Sequence, residues 1–136
     1  MNLKNHKFLI KRKFTILSLI VVIFAGLLCK QNSLAFHHWI SDHLAGLFYE
    51  VFWILFLFLF FSAKIRITHI PIFVFIFTLV IEFVQLWHPF FLEIIRQTWP
   101  GKIILGTTFS PWDFPFYIIG CFLGWQLILK LEALER

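Results

Sequence analysis

Two glutamates, Glu50 and Glu82, lie inside long apolar runs that otherwise have the composition of membrane-spanning helices. Each is about six residues from the same predicted end of its helix, so at ~1.5 Å rise per residue both sit about 9 Å below one boundary of the hydrocarbon. An ionisable side chain at the centre of a membrane helix costs roughly 2.5–3.5 kcal/mol on insertion scales, so it faces protein or water rather than lipid. Two at one depth point to a shared polar site. Spacing adds neighbours to each: Thr78, Glu82 and Gln85 follow i, i+4, i+7 on one helical face, and Gly46, Glu50 and Trp53 do the same. Asp113, Tyr117, Gly120 and Gly124 form a third such stripe, in which the Gly120/Gly124 pair allows close helix packing, here expected within the monomer. Arg96 is the cation available to Glu82, to Asp113 or to an anionic ligand. It could equally snorkel to lipid headgroups. The expected site is a polar, ligand-binding pocket of Glu50, Glu82, Gln85, Arg96, Asp113 and Tyr117. Hydrogen bonding that merely glues helices together is the alternative for every one of them.

The elements that must position these residues are apolar helices. Of the 136 residues 60% are hydrophobic and only 14% charged, with a mean hydropathy of +0.87. Soluble domains run near 45–50% apolar and about 25% charged, so the chain reads as a single integral membrane domain. The predicted fold is all-α, a bundle of four transmembrane helices over residues 14–29, 44–63, 70–87 and 114–129. Between the last two lies a long loop. In it Phe90, Phe91, Ile94 and Ile95 alternate with Glu93, Arg96 and Gln97, as in a short helix lying in the membrane interface. Pro100-Gly101 then reads as a turn, and Asp113 is well placed near the start of the fourth helix.

Charge placement predicts orientation. With the N-terminus inside, Lys4, Lys7, Lys11, Arg12, Lys13, Lys64, Arg66, Lys130 and Arg136 fall on the cytoplasmic side, against Lys30, Arg96 and Lys102 outside. That bias places both termini in the cytoplasm. Asp42, Glu50, Glu82, Glu93 and Asp113 all fall in the outer half, and Trp39, Trp87, Trp99 and Trp112 mark the outer boundary. The first helix could instead be a signal peptide cleaved after Ser33-Leu34-Ala35.

Several chemistries find no support. A pI near 9.5 would suit nucleic acid, but the charges are not clustered on a soluble basic surface, so no nucleic-acid partner is expected. Cys29 and Cys121 sit in or at the ends of apolar runs, which indicates neither a disulfide framework nor a zinc site. His37, His38, Asp42 and His43 lack a second ligand set, so no metal is expected. There is no GxSxG, HExxH, glycine-rich phosphate loop or CxxC, and no cofactor is expected.

Ile81-Glu82-Phe83-Val84-Gln85, Arg96, Gly101, Leu105-Gly106-Thr107-Thr108-Phe109, Asp113, Tyr117, Gly120 and Gly124 together resemble the family of small bacterial membrane proteins catalogued as domain of unknown function 2809. The resemblance covers roughly Leu44 to Gln126. More distantly the chain is similar to VanZ-type proteins, named for a role in teicoplanin resistance. Their pattern of E-x-x-Q, a following Arg and D-x-x-x-N-x-x-G-x-x-x-G fits Glu82, Gln85, Arg96, Asp113, Gly120 and Gly124, with Tyr117 in place of the asparagine. The resemblance implies a four-helix protein of the bacterial cytoplasmic membrane and cell envelope, without an assigned activity.

The leading functional reading is a non-catalytic protein whose outward pocket binds a lipid headgroup, a cell-wall precursor or a glycopeptide. An enzyme acting on a lipid-linked substrate would use Glu82 or Asp113 as general base and Arg96 to stabilise developing charge. Proton movement through Glu50 and Glu82 would need a relay in the inner half, where the helices are almost wholly apolar. A small partner subunit held by the Gly120/Gly124 face is the remaining alternative. The oligomeric state is not legible.

Overall fold

A computed structural model of the protein describes residues 11–31, 38–105 and 110–136. Lys4, Lys7, the candidate cleavage site Ser33-Leu34-Ala35, His37 and the Gly106-Thr107-Thr108-Phe109 stretch lie outside the described residues. Among the described residues six helices follow one another: α1 Lys13–Gln31, α2 His38–Phe61, α3 His69–Gln85, α4 Phe90–Gln97, α5 Trp99–Leu105 and α6 Asp113–Glu135. No strand occurs among the described residues.

Helices α1, α2 and α6 are each long and apolar enough to cross a membrane. The 17 residues of α3 join them only when counted with α4, from which α3 is bent by 113°. Three to four such helices are consistent with a multi-pass membrane protein. The helical bounds run past the predicted spans: α2 starts six positions before Leu44, and α6 continues six beyond Leu129. The physical reason is that hydropathy marks only what lipid must cover, while polar residues such as Asp42, His43 and Glu132 continue the same backbone ladder. Pro71 and Pro115 each stand third in their helix, where a missing N–H leaves no intrahelical bond unmade.

Helix α2 is central and packs most extensively on α6 and α1. Ile54, Leu55 and Phe58 of α2 are fully buried against Ile70 and Val74 of α3 and Ile128 of α6. Gly120 and Gly124 set the α2–α6 distance. A Cβ at Gly120 would stand 2.9 Å from Glu50 Cβ and 3.0 Å from the Leu47 carbonyl oxygen, and one at Gly124 would stand 2.6 Å from Ile54 Cδ1. The outer faces of α1, α3 and α6 expose Phe24, Phe73 and Phe122.

The end of the bundle formed by the start of α1 and the end of α6 is tied by a polar cluster. Glu135 accepts from the Thr15 backbone N–H and hydroxyl, both at 2.9 Å, and pairs with Arg12 Nη1 at 3.2 Å. Its carboxylate thus meets an unpaired N–H in the first turn of α1, where the helix dipole also favours negative charge. Arg12 donates its other nitrogen to Ser62 and lies 5.1 Å from the Phe58 ring centroid. The sequence reading treats Arg12 only as a topology signal; here it joins α1, α2 and α6.

The α4–α5 corner differs from expectation. Pro100-Gly101 is not a turn between elements but part of the first turn of α5. Thr98, with extended φ −75° and ψ 150°, is the corner, and its hydroxyl oxygen accepts from the Gly101 N–H at 3.2 Å. That is the geometry of a helix N-cap, with proline at a position that needs no donor. A Cβ at Gly101 would fall 1.8 Å from the Ile95 carbonyl oxygen, so only glycine permits so sharp a junction.

Gly120→Val should lower stability by about 1–3 kcal/mol, because the added atoms meet backbone as well as side chain. Phe122→Val, on the exposed face of the same helix, should be near neutral. Thermal unfolding of both variants in detergent, followed by circular dichroism, measures the difference.

Candidate functional site

Three polar tiers run down the contact of α2, α3 and α6, each tier one helical turn, about 5.4 Å, below the last. The uppermost holds His43, Gln85 and Asp113, and the next holds Gly46, Glu82 and Tyr117. The lowest holds Glu50, Thr78 and Cys121. The steps are three and four residues along α2 and α3 and four along α6, so one face of each helix supplies all three tiers.

The lowest tier is sealed. Glu50 is 0% exposed, and its Oε1 accepts from Cys121 Sγ at 2.9 Å and lies 3.3 Å from the Thr78 hydroxyl. Thr78 divides its single proton between that contact and the Val74 and Phe75 carbonyls of its own helix, at 3.1 and 2.9 Å. In the middle tier Glu82 is 1% exposed and accepts from the Tyr117 hydroxyl at 2.7 Å. Gly46 makes room for that tyrosine, whose ring edge would lie 3.3 Å from a Cβ there.

The uppermost tier is built around His43. Its Nδ1 lies 2.6 Å from the Trp39 carbonyl, which can only accept, so Nδ1 carries the proton. Nε2 faces Asp113 Oδ1 at 3.6 Å and the Ser110 hydroxyl at 3.5 Å. Asp113 stands at the first residue of α6, as the sequence reading expects, where its charge meets the helix dipole.

A cavity of about 340 Å³ opens along the upper two tiers, with His43, Glu82, Gln85, Asp113 and Tyr117 in its wall. Helix α5 roofs one side through Lys102, Ile103 and Ile104. It is fastened by its last carbonyls, which have no partner within a helix end: Gln85 Nε2 donates to Leu105 O at 2.7 Å, and the Tyr49 hydroxyl to Ile104 O at 3.0 Å. Lys30, from the last turn of α1, completes the rim. Two buried acceptors in this wall, Glu82 Oε2 and Gln85 Oε1, have no hydrogen-bond partner of normal geometry among the described residues, although the Ser110 backbone N–H also faces the Glu82 carboxylate. Glu50 Oε2 is likewise unpartnered, but below the cavity floor.

Of the residues expected in one pocket, Glu82, Gln85, Asp113 and Tyr117 are brought together and two are not. Glu50 lies a turn deeper, because Gly120 lets α6 close over it. Arg96 pairs with neither Glu82 nor Asp113. It is 5% exposed and folds back across the α3–α4 bend, donating to Glu93 Oε1 at 2.7 Å and to the Val84 carbonyl at 2.7 Å, with His88 Nδ1 at 3.1 Å. The bend explains this: it turns the face of α4 bearing Arg96 toward the open carbonyls at the end of α3. A short helix does span Phe90–Gln97, with Leu92 and Arg96 as its buried residues. The histidine cluster also divides, since His38 pairs with Asp42 at 2.8 Å while His43 turns inward.

Sequence reasoning missed His43, Tyr49 and Cys121 as members of the site, and Lys30 and Lys102 as its rim. Cys121 was within reach, because it follows Asp113 and Tyr117 in equal steps of four on α6. Nothing in local periodicity marks the two lysines.

Residues 35–121 match the model of a family described as protein of unknown function, DUF2809. The matched stretch holds all three tiers and ends at Cys121, leaving out α1 and the Glu135 cluster. No curated protein and no solved structure matches the chain.

Removing the middle-tier donor by Tyr117→Phe leaves a buried glutamate oxygen unmet, and should cost about 1–3 kcal/mol in chemical unfolding. Tyr49→Phe, which frees a carbonyl at the end of α5, should cost about 0.5–1.5 kcal/mol. At the α3–α4 bend, hydrogen bonds from His88 and Arg96 hold the Glu93 carboxyl below the usual carboxylate range. A depressed folded value means that this contribution is complete above the ordinary glutamate pKa of about 4.3 and lost as pH falls through the folded value. The protection factors of the α4 amides, with the intrinsic pH dependence of exchange divided out, should therefore fall on acidification in the wild type and change less in Glu93→Gln.

Proposed function

The chain belongs to the DUF2809 family of proteins of unknown function, and from that premise we propose that it is a non-enzymatic protein of the bacterial cytoplasmic membrane that binds the polar part of a ligand in the cleft between α2, α3, α5 and α6. The lysine and arginine count orients that cleft outward, with both termini in the cytoplasm. The observation that carries the reading is the pair of buried acceptors on the cleft wall, Glu82 Oε2 and Gln85 Oε1. A buried polar atom without a partner costs about 1–3 kcal/mol, and a ligand presenting N–H or O–H donors would relieve both at once. A lipid headgroup, a cell-wall precursor and a glycopeptide all carry such donors. The volume, about 340 Å³, is at the small end of ligand sites and suits a headgroup rather than a whole lipid.

One observation invites an enzymatic reading. Ser110, His43 and Asp113 stand together at the mouth of the cleft. In a hydrolytic triad, however, the acid holds the imidazole nitrogen opposite the serine. Here Ser110 and Asp113 both approach Nε2, and a backbone carbonyl occupies Nδ1. Asp113 therefore competes with the serine instead of orienting the base. Arg96, the cation expected to stabilise developing charge, is also turned away from the cleft. The binding reading is the stronger one.

Native mass spectrometry of the protein extracted from its own membranes tests it. A bound mass should be retained by the wild type, and Glu82→Gln should weaken its retention about tenfold or more, as losing one charge-assisted hydrogen bond implies. Ala45→Trp, which fills the cleft from α2, should abolish it. An adduct indifferent to Ala45→Trp would place binding elsewhere.

A further inference from the structure

The cleft has acceptors on its wall and two lysines at its rim, and that arrangement specifies a ligand class. Its wall is acidic and acceptor-rich: Glu82, Gln85 and Asp113 line the space, and Glu82 and Gln85 are more than nine-tenths buried, each with an acceptor oxygen that has no partner of normal geometry among the described residues. Its rim carries two lysines, together with Asp42, whose carboxylate is paired with His38. Lys30 and Lys102 come from the ends of α1 and α5, and neither has an ion-pair or hydrogen-bond partner among the described residues. Lys30 stands where the apolar span of α1 ends, which in a bilayer is the level of the headgroup phosphates, and Lys102 lines the same opening.

We propose that the cleft recognises a phosphate ester bearing a primary amine, of the phosphoethanolamine type, with the amine against Glu82 and Gln85 and the phosphate between Lys30 and Lys102. This deepens the binding reading above and rests on it. Each half of such a ligand answers one half of the site. A primary ammonium supplies three N–H donors, enough for Glu82 Oε2, Gln85 Oε1 and Asp113. A quaternary ammonium supplies none, and its recognition calls for an aromatic cage. Among the described residues only Tyr49, Tyr117 and the imidazole of His43 contribute rings to this wall, and Tyr117 spends its hydroxyl on Glu82. An anion without an amine would satisfy the lysines and bring no donor to the acidic wall. A lone amine would do the reverse. The same chemistry is present in an aminophospholipid headgroup and in free phosphoethanolamine.

The test is equilibrium binding to the full chain in neutral detergent. The probes are short-chain phosphatidylethanolamine, phosphatidylcholine and phosphatidylglycerol, together with soluble phosphoethanolamine and inorganic phosphate. Phosphatidylethanolamine should bind at least fivefold more tightly than either other lipid. Glu82→Gln should erase most of that preference, whereas Lys30→Gln with Lys102→Gln should weaken phosphatidylethanolamine and phosphatidylglycerol alike. Glu82→Asp, which keeps the charge, should retain the preference and shows that its loss in Glu82→Gln is not unfolding. If free phosphoethanolamine competes at the same concentration as the lipid, the amine–phosphate chemistry stands and its source is solution. Equal binding of all three lipids, still abolished by Ala45→Trp, would overturn this ligand class while leaving the cleft as a binding site. Binding of any probe that ignores Ala45→Trp, or no binding at all, would overturn the ligand class and count against the cleft itself.

Discussion

A carboxylate buried in an apolar bundle must find its donors on other helices, and Glu50 and Glu82 impose that requirement at two successive levels of this one. Neither can be satisfied from its own helix, whose backbone groups are already paired. Glu50 of α2 takes a thiol from α6 and reaches a hydroxyl on α3; Glu82 of α3 takes a phenol from α6. Three helices are thereby locked in one register, since sliding α6 by a turn would strand both acids and sliding α2 or α3 would strand one of them. The energy of each contact is modest, but the alternative is an unmet charge or dipole in a medium without water. Small residues make the contacts possible. Gly120 admits the Glu50 side chain and Gly46 admits the Tyr117 ring.

The two ends of the bundle handle polarity differently. At one, Glu135 is surrounded by donors from α1 and paired with Arg12, so its oxygens are met and the space is closed. At the other, the tiers stop short of full satisfaction. Between them Ile54, Leu55, Phe58 and Ile128 form a fully buried apolar layer. That layer separates the upper acids from the lower cluster and interrupts any polar path along the bundle, which argues against proton passage as a role for Glu50 and Glu82. The cluster at Glu135 is saturated, whereas Glu82 Oε2 and Gln85 Oε1 keep acceptor capacity beside the cavity.

The roof of the cleft depends on two local devices that act together. The Arg96 guanidinium fixes the bend after α3 by bridging Glu93 and the Val84 carbonyl. The Thr98 cap and the bare Cα of Gly101 then reverse the chain within a few residues, so that α5 returns over α3. Gln85 and Tyr49 hold it there through carbonyls that a helix end leaves open. Arg96 thus serves the site by placing its cover, not by entering it.

Much of this architecture was legible from residue order alone. Apolar runs announce helices because lipid accepts nothing else; spacings of three and four put Thr78, Glu82 and Gln85 on one face, and Asp113, Tyr117 and Gly120 on another. Those are properties of a single helix, repeated every 3.6 residues, and a sequence carries them without ambiguity. Membership in the DUF2809 family was likewise legible, because the match over residues 35–121 covers most of the stretch that carries the resemblance. Which faces meet, and at what depth, was decided only by the tertiary structure. Glu50 and Glu82 look equivalent by their distance from a helix end, yet the close approach at Gly120 seals one and the cavity exposes a wall beside the other. Arg96 looks free to reach Asp113 until a 113° bend turns it home. Lys30 and Lys102 are 72 positions apart and share a rim only because α1 and α5 end at the same opening. Local chemistry is a matter of residue type and period; pairing across helices depends on register and bend angle, which no local pattern contains.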